Sequence, residues 1–292
     1  MRGGFIQVVG IFVVCLGAWL LGSDRGRDVL AFWREGSRVM AARGGDGSAP
    51  EEVALPSPQA LSATAAAAPD ALRVLFVGNS HTFVNDMPAM IAALANAGGQ
   101  RPLRARVIVR SGARLQEHAN EGLVNTALSD GGWHALVLQE QQQQPTVSRE
   151  RREREMIAPT RIMSMNAQAI GARVIVQMVW ARRDGDVPNV PRDTFAAMHE
   201  RTVTGHRELA HELGAELAPT AIAWKRALQA RPDLALWQPD GMHASVAGTY
   251  LGACVLYQTL YRSSAKGLRF TAGLPARDAA FLQEIAATTP GE

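Results

Sequence analysis

The sequence predicts an α/β domain: a three-layer α/β/α sandwich around a central parallel sheet of about five strands. Two observations predict it. From Leu72 onward, short apolar runs such as Leu72 to Val77 recur, as expected of strands buried on both faces. Segments with helical spacing separate these runs, so strand and helix alternate along the chain. In a sheet of this kind, ligands bind outside the carboxyl ends of the strands.

Each element follows from its own pattern. Leu72 to Val77 is the first strand. Asp86 to Ala97 has helical spacing, with Met87, Met90 and Leu94 facing the core, and it stops at Gly98-Gly99. Arg104 to Val109, Ala135 to Leu138 and Arg173 to Val179 read as further strands, and Ala215 to Leu217 as a weak fifth. Helices are expected over Pro159 to Ile170, Thr194 to Leu213, Ala221 to Ala230, Ser245 to Tyr261 and Arg277 to Ala287. The run Ser148 to Glu155 mixes charges of both signs three and four apart, which reads as the solvated face of a helix.

Residues 1–22 are expected to be a membrane anchor or signal. The apolar stretch Phe5 to Gly22 is just long enough to span a bilayer; Arg2 precedes it, and Arg25 and Arg27 follow. An uncleaved anchor or a cleaved signal both place the rest outside the cytoplasm, in the periplasm. Residues 23–70 read as an Ala/Pro/Ser-rich stalk, with too little apolar surface to fold alone. Residues 71–292 then form the folded domain.

The chain has 292 residues and a net charge of +3. Its arginines are spread along the chain, so no nucleic-acid partner is expected. The two cysteines, Cys15 and Cys254, are not expected to pair. The seven histidines show no metal-ligand spacing, and His206 and His211 are badly placed for one helix face. Neither a metal nor an organic cofactor is expected.

Two stretches carry chemistry. In Val74-Leu75-Phe76-Val77-Gly78-Asn79-Ser80-His81-Thr82 an apolar strand ends at a glycine, and Ser80 lies just past its carboxyl end. If a helix starts there, its free N–H groups can stabilise an anion beside the serine. The plain alternative is that Asn79 or Ser80 merely caps that helix. A serine nucleophile needs a base, and Gln238-Pro239-Asp240-Gly241-Met242-His243-Ala244-Ser245 offers one. One loop carries both an imidazole and a carboxylate, so His243 can turn toward Ser80 while Asp240 fixes the ring's tautomer. The alternative here is a turn capped by Asp240 and a helix capped by His243.

Together the two stretches resemble the SGNH hydrolases, also called GDSL esterases and lipases. Gly78-Asn79-Ser80 is similar to the family's Gly-Asp-Ser block with Asn for Asp, and Asp240-Gly241-Met242-His243 matches its Asp-x-x-His block. The Gly-Asn-Ser-x-Thr form, followed by Asn85-Asp86-Met87-Pro88, is similar to a poorly characterised bacterial subgroup. The resemblance covers about residues 72 to 262. It implies Ser80 as nucleophile, His243 as base and Asp240 as its orienting acid. It also implies an oxyanion hole built from the backbone N–H groups of Ser80 and Gly112 and a side-chain amide. The family's Gly-x-Asn-Asp block is missing; in its place stands Gln139-Glu140-Gln141-Gln142-Gln143-Gln144. Gln141 is the expected amide donor, with Gln139 and Gln143 behind it. Asn79, His81 and Trp180 are candidate substrate contacts; for Trp180 these are a sugar-stacking wall or a plain lid over the core. Arg114 and Arg182 could attract an anionic substrate.

The expected activity is ester hydrolysis through an acyl-enzyme, on an O-acetyl group of a cell-envelope or secreted glycan. A lipid or small-molecule esterase, an acyltransferase, or a binding protein that keeps the fold without turnover are the alternatives. The expected partners are an acylated small molecule or glycan, and a membrane through the N-terminal segment.

Overall fold

The computed structural model describes residues 69–291. The expected anchor, and all but the last two residues of the expected stalk, lie outside the described residues. No helix among the described residues is long and apolar enough to cross a membrane.

Five strands form one sheet: β1 (Leu72–Gly78), β2 (Leu103–Val109), β3 (Ala135–Gln139), β4 (Arg173–Gln177) and β5 (Glu216–Ala218). Their order is β2-β1-β3-β4-β5 and every pairing is parallel. Successive side chains point to opposite faces, which is why the strands are apolar throughout. Leu72, Val74, Phe76, Ala135, Val137 and Ile175 enter one core, and Leu75, Val77, Leu136, Leu138, Val174 and Val176 the other. The edge strand β2 is half exposed and carries Arg104 and Arg106, charges that discourage further pairing.

The main helices are α1 (Met87–Ala97), α2 (Leu115–Glu121), α3 (Leu123–Ser129), α4 (Ala158–Ala169), α5 (Phe195–Leu213), α6 (Thr220–Ala230), α7 (Val246–Tyr261) and α8 (Ala276–Thr288). The first core is covered by α1, α6, α7 and α8, the second by α2, α3, α4 and α5. Asp86 does not begin α1 but caps it, accepting from Ala89 N at 3.2 Å. The pair α2 and α3 was not expected. Each has seven residues and they part at Gly122, whose φ is +72°. Such short elements repeat too few turns to show a helical period.

The charged run is helical and mostly exposed, as expected, with the exception of Arg152. A turn of helix, Arg149–Arg152, widens into a π-helical turn, Glu153–Ile157, ahead of α4. Arg152 is buried rather than solvated. Its guanidinium binds Glu208 of α5 (Nε at 2.7 Å) and the Val147 carbonyl (Nη1, 2.5 Å).

Candidate active site

The sheet changes direction of winding at β1, which lies between β2 and β3. This topological switch point leaves a crevice at the carboxyl ends of β1 and β3, and Ser80 sits there. Asn79 is extended (φ −140°) and a single helical turn, Ser80–Phe83, follows. The Asn79 side chain is indeed a cap, accepting from His81 N at 3.1 Å. Gly78 is required by a close approach: a Cβ there would lie 2.5 Å from Gln139 Oε1 and 2.7 Å from Thr82 Oγ1.

The loop before α7 brings the base. Trp237 and Ala244 pair across its neck, and Gly241 turns it with φ +68°. Asp240 Oδ1 accepts the N–H groups of Met242 (2.9 Å) and His243 (3.0 Å), so Asp240 does cap a turn. Its other oxygen lies 2.6 Å from His243 Nδ1, and His243 Nε2 lies 2.9 Å from Ser80 Oγ. Nδ1–H therefore donates to Asp240, which leaves Nε2 to accept from the serine hydroxyl. His243 does not cap the helix; Ser245 does, accepting from Gly248 N at 3.1 Å. Burial works to raise the Asp240 carboxyl. The hydrogen bond with His243 and the two N–H groups outweigh it and hold the carboxyl below its ordinary range.

The loop is pinned from three sides. Arg183 N donates to Gly241 O at 2.8 Å, and Trp180 Nε1 donates to Met242 O at 3.0 Å. Asn85 Nδ2 reaches Ala244 O at 3.0 Å. Trp180 is thus not a sugar-stacking wall. It is fully buried, stacked on Trp224 with centroids 4.3 Å apart, and supports the His243 loop from below. The sequence places it at the sheet's carboxyl edge but does not reveal that Trp224 covers it.

His81 is also buried, its ring 5.2 Å from Trp180 and 5.4 Å from His243. Its Nδ1 lies 3.0 Å from Asn79 Oδ1, so Nδ1 carries the proton. Burial first, then the neighbouring His243, lowers its pKa to about 3. Burial likewise lowers His199 and His206 to about 4. In the unfolded chain these rings take up protons near pH 6.5. Between about pH 6.5 and about pH 4 these three rings therefore bind more protons in the unfolded chain, against the raised carboxyl of Glu140, which acts in the opposite sense. The stability these three rings contribute is fully present above pH 6.5 and falls as pH drops through that window. Urea unfolding is expected to show a clearly lower midpoint at pH 5 than at pH 7; equal midpoints would contradict these neutral rings.

Residues proposed for the oxyanion hole divide. Gly112 (φ +70°) lies in the turn after β2, and Asn79 Nδ2 donates to the adjacent Ala113 O at 2.9 Å, drawing that turn against Ser80's. Gln139 is not available as a donor to substrate. Its Oε1 accepts Asn79 N and Thr82 Oγ1, both at 2.8 Å, and its Nε2 donates to Glu140 O at 2.6 Å. Gln141 is half-buried in the loop after β3, and Gln143 Oε1 takes one of its amide hydrogens at 3.1 Å. Gln143 in turn donates to Asp186 Oδ1 at 2.8 Å. Arg182 is tied to the same Asp186 at 3.0 Å, and Arg114 lies 3.8 Å from Glu117. Both arginines are therefore already paired within the protein. Sequence reasoning missed Glu140, which is fully buried beside this loop. Among the described residues, no group of three or more His, Cys, Asp or Glu side chains could hold a metal ion.

No protein-family model and no curated protein matches the sequence. Solved structures do. An assigned SGNH hydrolase from Slackia heliotrinireducens is 31% identical, with a TM-score of 0.55; the match covers 65% of this chain and 100% of that one. A DUF4886 family protein from Bacteroides uniformis is 16% identical with a TM-score of 0.61, covering 75% of this chain and 94% of that one. The second likeness is one of fold alone.

Proposed function

The chain belongs to the SGNH hydrolases, and from that premise we propose that it is a serine esterase whose catalytic residues are Ser80, His243 and Asp240. The carrying observation is the unbroken relay of 2.9 Å from Ser80 Oγ to His243 Nε2 and 2.6 Å from His243 Nδ1 to Asp240.

Ser80 Oγ attacks the ester carbonyl carbon as His243 Nε2 takes its proton. Asp240 stabilises the imidazolium and keeps the ring in register. The oxyanion lies toward the backbone N–H groups of Ser80 and Gly112 and the remaining amide hydrogen of Gln141. On collapse the bond to the leaving alcohol breaks, and His243 returns the proton to that alcohol. Water, deprotonated by His243, then cleaves the acyl-enzyme to release the acid and free Ser80. An alcohol in place of water would make the same site an acyltransferase.

The substrate we infer is an O-acetyl ester of a cell-envelope or secreted glycan. Ser80 is only 6% exposed, which favours a small acyl group. A location outside the cytoplasm is part of this reading and rests on the sequence of residues 1–22. The test compares residues 71–292 on 4-nitrophenyl acetate, butyrate and octanoate, and on acetylated oligosaccharides, by acetate release. Acetyl esters are expected to be preferred over octanoate by about tenfold or more, since each methylene a pocket excludes is worth about 1–3 kcal/mol. The opposite ranking would favour a lipid ester.

A further inference from the structure

Three loops meet around Ser80, and three side chains tie them pairwise. Gln139 joins the β3 end to the Ser80 turn through Asn79 N. Asn79 joins that turn to the β2 loop through Ala113 O. Glu140 closes the triangle: its Oε1 accepts Leu115 N at 3.1 Å, just past the Gly112 turn, and Gln141 N at 2.5 Å. One carboxyl oxygen thus bridges the two segments that carry Gly112 and Gln141. We propose that Glu140 is a positioning residue for the oxyanion hole, acting as a neutral acid whose carbonyl oxygen sets the spacing of these two segments.

The neutral form follows from the surroundings. Glu140 is fully buried, and its Oε2 is buried with no hydrogen-bond partner among the described residues. A proton on Oε2 leaves the carbonyl Oε1 to accept both N–H groups. A carboxylate would instead leave charge on an oxygen that nothing compensates. Burial raises the carboxyl to about 8, against the Gln141 and Leu115 N–H groups and Arg114, which lower it; Glu117 adds to the rise. A negative charge at this point would also oppose the oxyanion formed beside Gln141.

The proposal rests on the esterase reading, and its test separates the two. Glu140→Gln keeps an oxygen acceptor without charge; Glu140→Met keeps the length of the side chain and has no comparable acceptor. With 4-nitrophenyl acetate, the Gln variant is expected within about threefold of the wild type in kcat, and the Met variant lower by about 10²-fold with KM little changed, as for a displaced oxyanion donor. A folded Met variant with full kcat would overturn the positioning role. A Gln variant lower in kcat by about 10²-fold would overturn the neutral acid, and that arm stands alone if the Met protein does not fold. A wild type that neither turns over esters nor labels at Ser80 overturns the esterase reading and this proposal together.

Discussion

Ser80→Ala is expected to lower kcat/KM for 4-nitrophenyl acetate by about 10³-fold or more, because the members of such a relay act as a unit. The residue is small, and among the described residues its hydroxyl pairs with His243 Nε2 at 2.9 Å. The unfolding midpoint should therefore barely move, which separates chemistry from stability. Asp240→Asn is the companion variant. Its Oδ1 can still accept the Met242 and His243 N–H groups that now sit at 2.9 and 3.0 Å. Its NH₂, however, would face His243 Nδ1 and push the proton to Nε2, where it confronts Ser80. A loss of about 10⁴-fold with an intact loop is expected from that wrong tautomer. Retained activity in either variant would place the chemistry elsewhere.

The second large effect is at Gln139, 1% exposed. Gln139→Leu fills similar space but strands Asn79 N–H and the Thr82 hydroxyl, which now share Oε1 at 2.8 Å each. Each unsatisfied buried donor costs about 1–3 kcal/mol, so a loss of roughly 2–6 kcal/mol in urea unfolding is expected. The Ser80 turn also loses its tie to β3, and a displacement near 1 Å would lower kcat by about 10²-fold. Thr82→Val strands no second donor and should cost visibly less on both readouts. Equal effects of the two variants would show that Gln139 only fills space.

What the sequence revealed was local. The inner strands β1, β3 and β4 could be read because both faces are covered, so apolar runs stand out. Their ends were less legible: the run Arg173 to Val179 continues two residues past β4, since Val179 N leaves the ladder for His206 Nε2 at 3.3 Å. Ser80 and His243 are 163 positions apart, and no periodicity links them; the chemical need of a serine for a base did. Burial by distant elements was not legible. Trp180 looks like a rim residue until Trp224 stacks beneath it. The glutamine run hid three roles behind one residue type. Strand alternation carried a usable signal: Gln139 shares its side with Ala135 and Val137, whereas Glu140 falls on the side of Leu136 and Leu138, the core that also holds Leu115.

The most direct test of an activated Ser80 is labelling of the intact domain with a fluorophosphonate, read by protein mass and then by peptide mapping. The expected result is one adduct, on Ser80, lost in Ser80→Ala and strongly slowed in His243→Ala. Absence of an adduct in the folded wild type, or an adduct on another residue, would contradict the serine esterase and leave a protein that keeps the fold without this chemistry.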